Sequence, residues 1–186
     1  MNEDFREQIR SVFDGDVLKS SIPEYVRRPL QVEFAEAVAS AMNRGGLHLF
    51  EAGTGIGKSI AYIIPAILSE RKIFVSTATI TLQDQLAKKD VPGVIQALES
   101  RARVSVLKGR RNYLCLRKWH GGKRSAKADS DFYRWADTTQ DGDVTACPFK
   151  VSHSLWRHFR SDHLDCTGTA CPFRGGCHFY RARNTA

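Results

Sequence analysis

The sequence predicts an α/β protein: a parallel sheet flanked by helices, followed by a smaller loop- and helix-rich segment. Three observations carry this. Short apolar runs alternate with helix-patterned stretches through residues 1–108. A glycine-rich stretch, FEAGTGIGKS (residues 50–59), lies between one such run and one such helix. Beyond Lys108 clear strand patterns vanish, glycine, arginine, aspartate and histidine become common, and all five cysteines fall there.

Taken in order, residues 1–12 pattern as a short helix, and residues 20–29, with Pro23 and Pro29, as irregular. Residues 31–42 (QVEFAEAVASAM) place apolar side chains at 34, 37, 38 and 41, one face of a helix, and Gly45-Gly46 stops it. Residues 47–50 (LHLF) read as a first strand. Residues 59–68 read as an apolar helix, with Pro65 a candidate kink. Residues 72–76 (KIFVS) are a second strand, 82–88 and 91–98 two helices, and 104–107 (VSVL) a third strand. After the boundary near residue 108 one helix is predicted over 129–136. Aromatic residues are scattered there, so the segment reads as having a thin apolar core that a metal centre would help to hold.

The first ten residues, MNEDFREQIR, lack the apolar region of a signal peptide. The longest apolar run, residues 60–68, is too short to span a bilayer. An odd number of cysteines argues against a disulfide framework. These features predict a soluble, cytoplasmic protein with no membrane partner. The net charge of +8 is uneven: residues 1–98 carry 11 Lys/Arg against 12 Asp/Glu, and residues 99–186 carry 17 against 8. A localised basic excess favours a polyanion, nucleic acid first, over the plainer reading of a solvated surface.

The stretch Ala52-Gly53-Thr54-Gly55-Ile56-Gly57-Lys58-Ser59 follows the phosphate-loop pattern, with Ala52 in the place of its first glycine. Glycines let backbone N–H groups turn inward around phosphate oxygens. In that pattern Lys58 supplies charge to the β- and γ-phosphates, and the Ser59 hydroxyl is a Mg²⁺ ligand. The helix that follows adds its dipole. A chance glycine-rich turn is the competing reading, and the order strand, loop, helix argues against it. No apolar run in the chain ends in Asp-Glu, the acidic pair that would hold Mg²⁺ and orient water. Weak nucleotide binding without efficient hydrolysis is therefore expected of the chain by itself, as a fragment of a longer enzyme or a degenerate copy.

Cys115 precedes Cys166, Cys171 and Cys177. Four thiolates suit either zinc or an iron–sulfur cluster. Gaps of four and five residues, with the first cysteine far upstream, make a poor zinc ribbon, but spacing alone leaves both metals open. Cys147 reads as a packed free cysteine.

Four stretches in this order, RRPLQ (27–31), EAGTGIGKS (51–59), STATITLQDQL (76–86) and KGRRNYLC (108–115), resemble the N-terminal part of the bacterial DinG/YoaA-type helicases, in the XPD-like branch of superfamily 2. The tail DCTGTACPFRGGCHFYRAR resembles that family's cysteine segment, and TQDGDVTAC (139–147) also looks like a YoaA-type stretch. The resemblance implies a RecA-like motor domain, partial over residues 1–108, an inserted iron–sulfur domain over 109–180, and a return to the motor domain at 181–186. It implies ATP and Mg²⁺ as cofactors, with Arg28 and Gln31 in an adenine-reading motif and Ser76, Thr77 and Thr79 in a segment lying against the DNA backbone. It moves the metal reading to a [4Fe–4S] cluster on Cys115, Cys166, Cys171 and Cys177. The implied activity is 5′-to-3′ translocation on single-stranded or forked DNA by a nucleoid-associated enzyme with replication or repair partners. Arg110 and Arg111, with Arg117, Lys118, Arg174, Arg181 and Arg183, are then candidate DNA contacts, and Tyr113, Trp119 and Phe173 candidate base-stacking residues. A non-enzymatic iron–sulfur DNA-binding module and a P-loop redox sensor are the rival readings.

Overall fold

The computed structural model describes residues 3–22, 25–122 and 130–186. Helix accounts for 59% of the described residues and bridge pairing for about 2%, and no sheet forms among them. The parallel-sheet, RecA-like α/β expectation is therefore overturned. The three apolar runs at 47–50, 72–76 and 104–107 carry no regular structure. A run becomes a strand only when its N–H and C=O groups meet a second strand. Here they do not, and the side chains face solvent: Leu47 is 99% exposed and Phe74 82%.

Contacts divide the chain into residues 1–104 and 105–186. The first unit is built of helices α1 (Glu3–Asp14), α2 (Val17–Ser21), α3 (Pro29–Arg44), α4 (Lys58–Leu68), α5 (Ile80–Gln85) and α6 (Val91–Ala97). Pro29 occupies the first turn of α3, where its missing N–H costs nothing, and Gly45 closes the helix at φ +68°. The buried stripe of α3 runs through Val32, Ala35, Ala39 and Ala41; of the expected positions 34, 37, 38 and 41 only Ala41 is buried, and the other three are half-buried. Its alanines let α4 approach closely, and Ile63 and Ile64 of α4 join Ile9 and Phe13 of α1 in one core. Arg6 and Arg10 of α1 both pair with Glu36 of α3. Pro65 sits inside α4, fully buried, and the helix continues to Leu68.

The two helices expected over 82–88 and 91–98 form one run of α5, a π-helical turn at Leu86–Asp90, and α6. Pro92 has no N–H to donate backward, so the hydrogen-bond register changes just ahead of it. Gln85 Nε2 donates to the buried Asp90 carboxylate at 2.9 Å across this turn.

The second unit contains α7 (Leu116–Gly121), α8 (Ser130–Thr138), α9 (His153–Phe159) and α10 (His178–Thr185), joined by 3₁₀ turns. The helix expected over 129–136 begins at a residue outside the described ones. The thin core is corrected: Leu114, Trp119, Phe132, Ala136, Trp156 and Phe159 form a buried cluster. Trp119 meets Phe159 edge-on at 5.2 Å and Phe132 at 6.0 Å. Each indole N–H in this cluster is satisfied, Trp119 by Asp137 and Trp156 by the Arg111 carbonyl. Short antiparallel bridges join Tyr113 to Asp143 and Leu114 to Arg160.

Candidate phosphate loop and cysteine centre

In the first unit the glycine-rich loop delivers the chain into α4. Gly55 and Gly57 hold φ of +81° and +84°, a region that side-chain-bearing residues rarely adopt. Gly57 is required twice over, because a Cβ there would lie 2.2 Å from Gln31 Nε2. Gln31 is wholly buried under the loop. Its Nε2 donates to the Gly57 carbonyl at 2.9 Å, and its Oε1 accepts from the Tyr25 hydroxyl at 3.3 Å. Both ends of the amide proposed to read adenine thus hold protein groups here. Arg28, just ahead of α3, is exposed and donates to the Val26 carbonyl at 3.2 Å.

Lys58 folds back so that Nζ donates to the carbonyls of Ala52 (2.9 Å) and Gly53 (2.8 Å), spanning the loop. The positive charge therefore sits where the loop closes. Thr54 is exposed and Ile56 half-exposed. Burial raises the pKa of Tyr62, partly offset by its hydrogen bond with Ser59. Thr79 caps α5, its Oγ1 accepting from Leu82 N at 3.3 Å, and Thr77 Oγ1 donates to the Thr79 carbonyl at 3.1 Å.

In the second unit the chain brings four distant cysteines to one place. The Cys115 N–H donates to the Phe159 carbonyl at 2.8 Å, and the Ser161 N–H to the Tyr113 carbonyl at 2.7 Å, which fixes Cys115 against the end of α9. Cys171 ends one 3₁₀ turn, and Cys177 ends another and opens α10. Cys115, Cys166, Cys171 and Cys177 all line a single cavity of about 20 Å³, with Leu116, Phe173, Arg174 and Tyr180. Cys147 is not among its walls. Among the described residues no three Cys, His, Asp or Glu side chains converge tightly enough to hold a single metal ion.

Two guanidiniums attend the sulfurs. Arg110 Nη1 donates to Cys166 Sγ at 3.0 Å while its plane lies 4.0 Å from the Phe179 ring. Partial burial opposes its charge, but Tyr180, Cys166 and Cys177 outweigh that and raise its pKa. Arg174 stacks on Tyr180 at 3.9 Å, and its Nη1 is buried with no hydrogen-bond partner. Arg111 pairs with Asp162 at 3.0 Å, and Lys118 with Asp165 at 2.6 Å. Of the candidate stacking residues, Trp119 and Tyr113 are core, 1% and 4% exposed. Phe173 is half-exposed and stacked on His120 at 5.2 Å. The sequence reading missed the sulfur and aromatic contacts of Arg110, and its position in RRNYLC gave no sign of partners some 55–70 residues away.

No protein-family model matches the chain. The resemblance read from the motifs is borne out by comparison with curated proteins. The chain is 37% identical over 182 residues to the ATP-dependent DNA helicase YoaA of Escherichia coli, covering 93% of this chain and 28% of that protein. It is 34% identical to YoaA of Haemophilus influenzae, over 98% of this chain and 30% of that protein. It is 36% identical to the ATP-dependent helicase DinG of Mycobacterium tuberculosis, over 86% of this chain and 29% of that protein. The chain therefore spans under a third of the length of these relatives.

Proposed function

From its similarity to DinG/YoaA-type helicases over nearly all its length, we propose that this chain is part of an ATP-dependent DNA helicase that moves 5′-to-3′ on single-stranded or forked DNA. That similarity is the observation that carries the reading. ATP with Mg²⁺ would be held at the phosphate loop, where Lys58, freed from the Ala52 and Gly53 carbonyls, would supply charge to the β- and γ-phosphates and the Ser59 hydroxyl would be a ligand of the ion. Gln31 and Tyr25 hold the far side of the loop through Gly57. The chain alone turns ATP over at background rate, because none of its apolar runs ends in the acidic pair that would orient water.

The cysteine centre holds a [4Fe–4S] cluster on Cys115, Cys166, Cys171 and Cys177. Two observations support the fit. The four sulfurs line one cavity that, among the described residues, no His, Asp or Glu side chain and no fifth cysteine lines, an all-thiolate set of the kind such clusters take. The buried, partnerless Arg174 Nη1 is a donor suited to a sulfur-rich anion. When bound, the cluster supplies thiolate–iron bonds that tie remote segments together and a one-electron redox centre. Arg110 and Arg174 balance the thiolate charge, and Phe173 with Leu116 excludes water.

Metal analysis of the anaerobically prepared chain tests this. About four irons and visible thiolate-to-iron absorption are expected. A colourless protein with one zinc per chain overturns the cluster. Titration with a fluorescent ATP analogue should show binding that Lys58→Ala abolishes; equal binding by the variant removes the phosphate loop from the site.

A further inference from the structure

Helix α9 turns a basic, wholly polar face to solvent. It buries Trp156 and Phe159 and leaves His153, Ser154, Arg157 and His158 exposed. These four are spaced i, i+1, i+4 and i+5, which places them on one side of the helix. Lys150 is exposed in the segment leading to it. Among the described residues no carboxylate pairs with Lys150 or Arg157. Most cations around Cys115 are different: Arg111 and Arg160 are paired with Asp162, Lys118 with Asp165, Lys108 with Asp143, and Arg110 with Cys166, while Arg117 donates to the Asp165 carbonyl and Arg174 lies against the Tyr180 ring in the cavity wall. On α10, Arg181 and Arg183 are also exposed, but two residues apart they do not share a face.

We infer that the exposed face of α9, with Lys150, Arg157 and the hydroxyls of Ser152 and Ser154, is a contact surface for the phosphate backbone of single-stranded DNA. The inference rests on the DNA-binding reading above and says where in the second unit the strand lies. Three features favour this occupant. The unpaired charge complements phosphate, and a cation already matched to a carboxylate attracts phosphate less. Hydroxyls beside cations are common phosphate partners. No large apolar side chain lies on the face, whereas a protein partner would need a desolvated apolar anchor. The face is also held to the cysteine centre: the Trp156 indole N–H donates to the Arg111 carbonyl at 2.9 Å, and the Phe159 carbonyl accepts from Cys115 N.

Fluorescence anisotropy of the iron-loaded chain with a labelled oligothymidylate, over a potassium chloride series, tests the surface. Each lost single-strand phosphate contact lowers the slope of log affinity against log salt by about 0.7. Arg157→Ala should remove about 0.7, Lys150→Ala with Arg157→Ala about 1.4, and Arg111→Ala little. Arg157→Lys, which keeps the charge, should restore the slope. An unmodified chain that binds with a salt slope the double variant leaves unchanged overturns this inference alone. So does failure of Arg157→Lys to restore the slope, or equal displacement of the oligonucleotide by poly-L-glutamate, which would mark a face for acidic protein. An unmodified chain with no affinity for the oligonucleotide overturns both this inference and the DNA-binding reading.

Discussion

Gly57 shows how much one residue can carry. Its left-handed φ was legible in the motif, since phosphate loops need glycines where the backbone turns back. Its second constraint was not, because Gln31 lies 26 positions upstream and nothing in local pattern announces that contact. Gly57→Ala meets both a strained φ and the Gln31 amide, and should cost about 1–3 kcal/mol of stability and at least about tenfold in nucleotide affinity. Urea unfolding and nucleotide titration together check it; an unchanged affinity would mean the loop tolerates a shifted Gln31. Arg174 was one of several arginines in a basic segment, and only burial singles it out. A donor to cluster sulfur favours the more negative reduced state. Arg174→Leu should therefore shift the reduction potential downward while iron content is retained, as read by spectroscopic redox titration. Loss of iron with no measurable potential would instead assign Arg174 to assembly.

At the level of elements, the helices were largely readable and the strands were not. Residues 31–42 fell within α3 because Pro29 and Gly45 mark its two ends, although the stripe it buries is shifted from the one its apolar spacing suggested. The apolar runs at 47–50, 72–76 and 104–107 satisfied every local criterion for a strand, but pairing is a long-range property and no strand forms over them in the structure. The aromatic core was missed for a related reason. Its members come from three short helices, and the signal available was spacing within each: Phe132 with Ala136 in α8, Trp156 with Phe159 in α9. Trp119→Ala should remove the centre of that cluster and cost about 3–5 kcal/mol, measured by chemical unfolding followed by circular dichroism. The π-helical turn makes a smaller claim. Asp90→Ala leaves Gln85 Nε2 without its acceptor and should cost about 1–3 kcal/mol by the same measurement. A neutral result would show that water replaces the carboxylate.

Over the whole molecule, two units each carry their own apolar cluster, the first aliphatic and helical, the second aromatic and arranged about four cysteines. The change of texture after Lys108 pointed to such a division, though residues 105–108 group with the second unit: Lys108 is buried in an ion pair with Asp143 at 2.8 Å, and Ser105 Oγ donates to the Thr185 carbonyl. All three tryptophans, 119, 135 and 156, lie in the second unit, so their emission reports on it alone. Chelation of iron should shift that emission to the red while the far-ultraviolet signal of α1–α6 largely persists; emission indifferent to the chelator would mean the aromatic core holds without metal. The cavity wall draws its first sulfur from Cys115 and its last from Cys177, 62 positions later. At about 5–20 residues per second of synthesis, the first thiol waits about 3–12 s for its last companion. Throughout that interval the nascent chain holds the first wall of the cavity without the last.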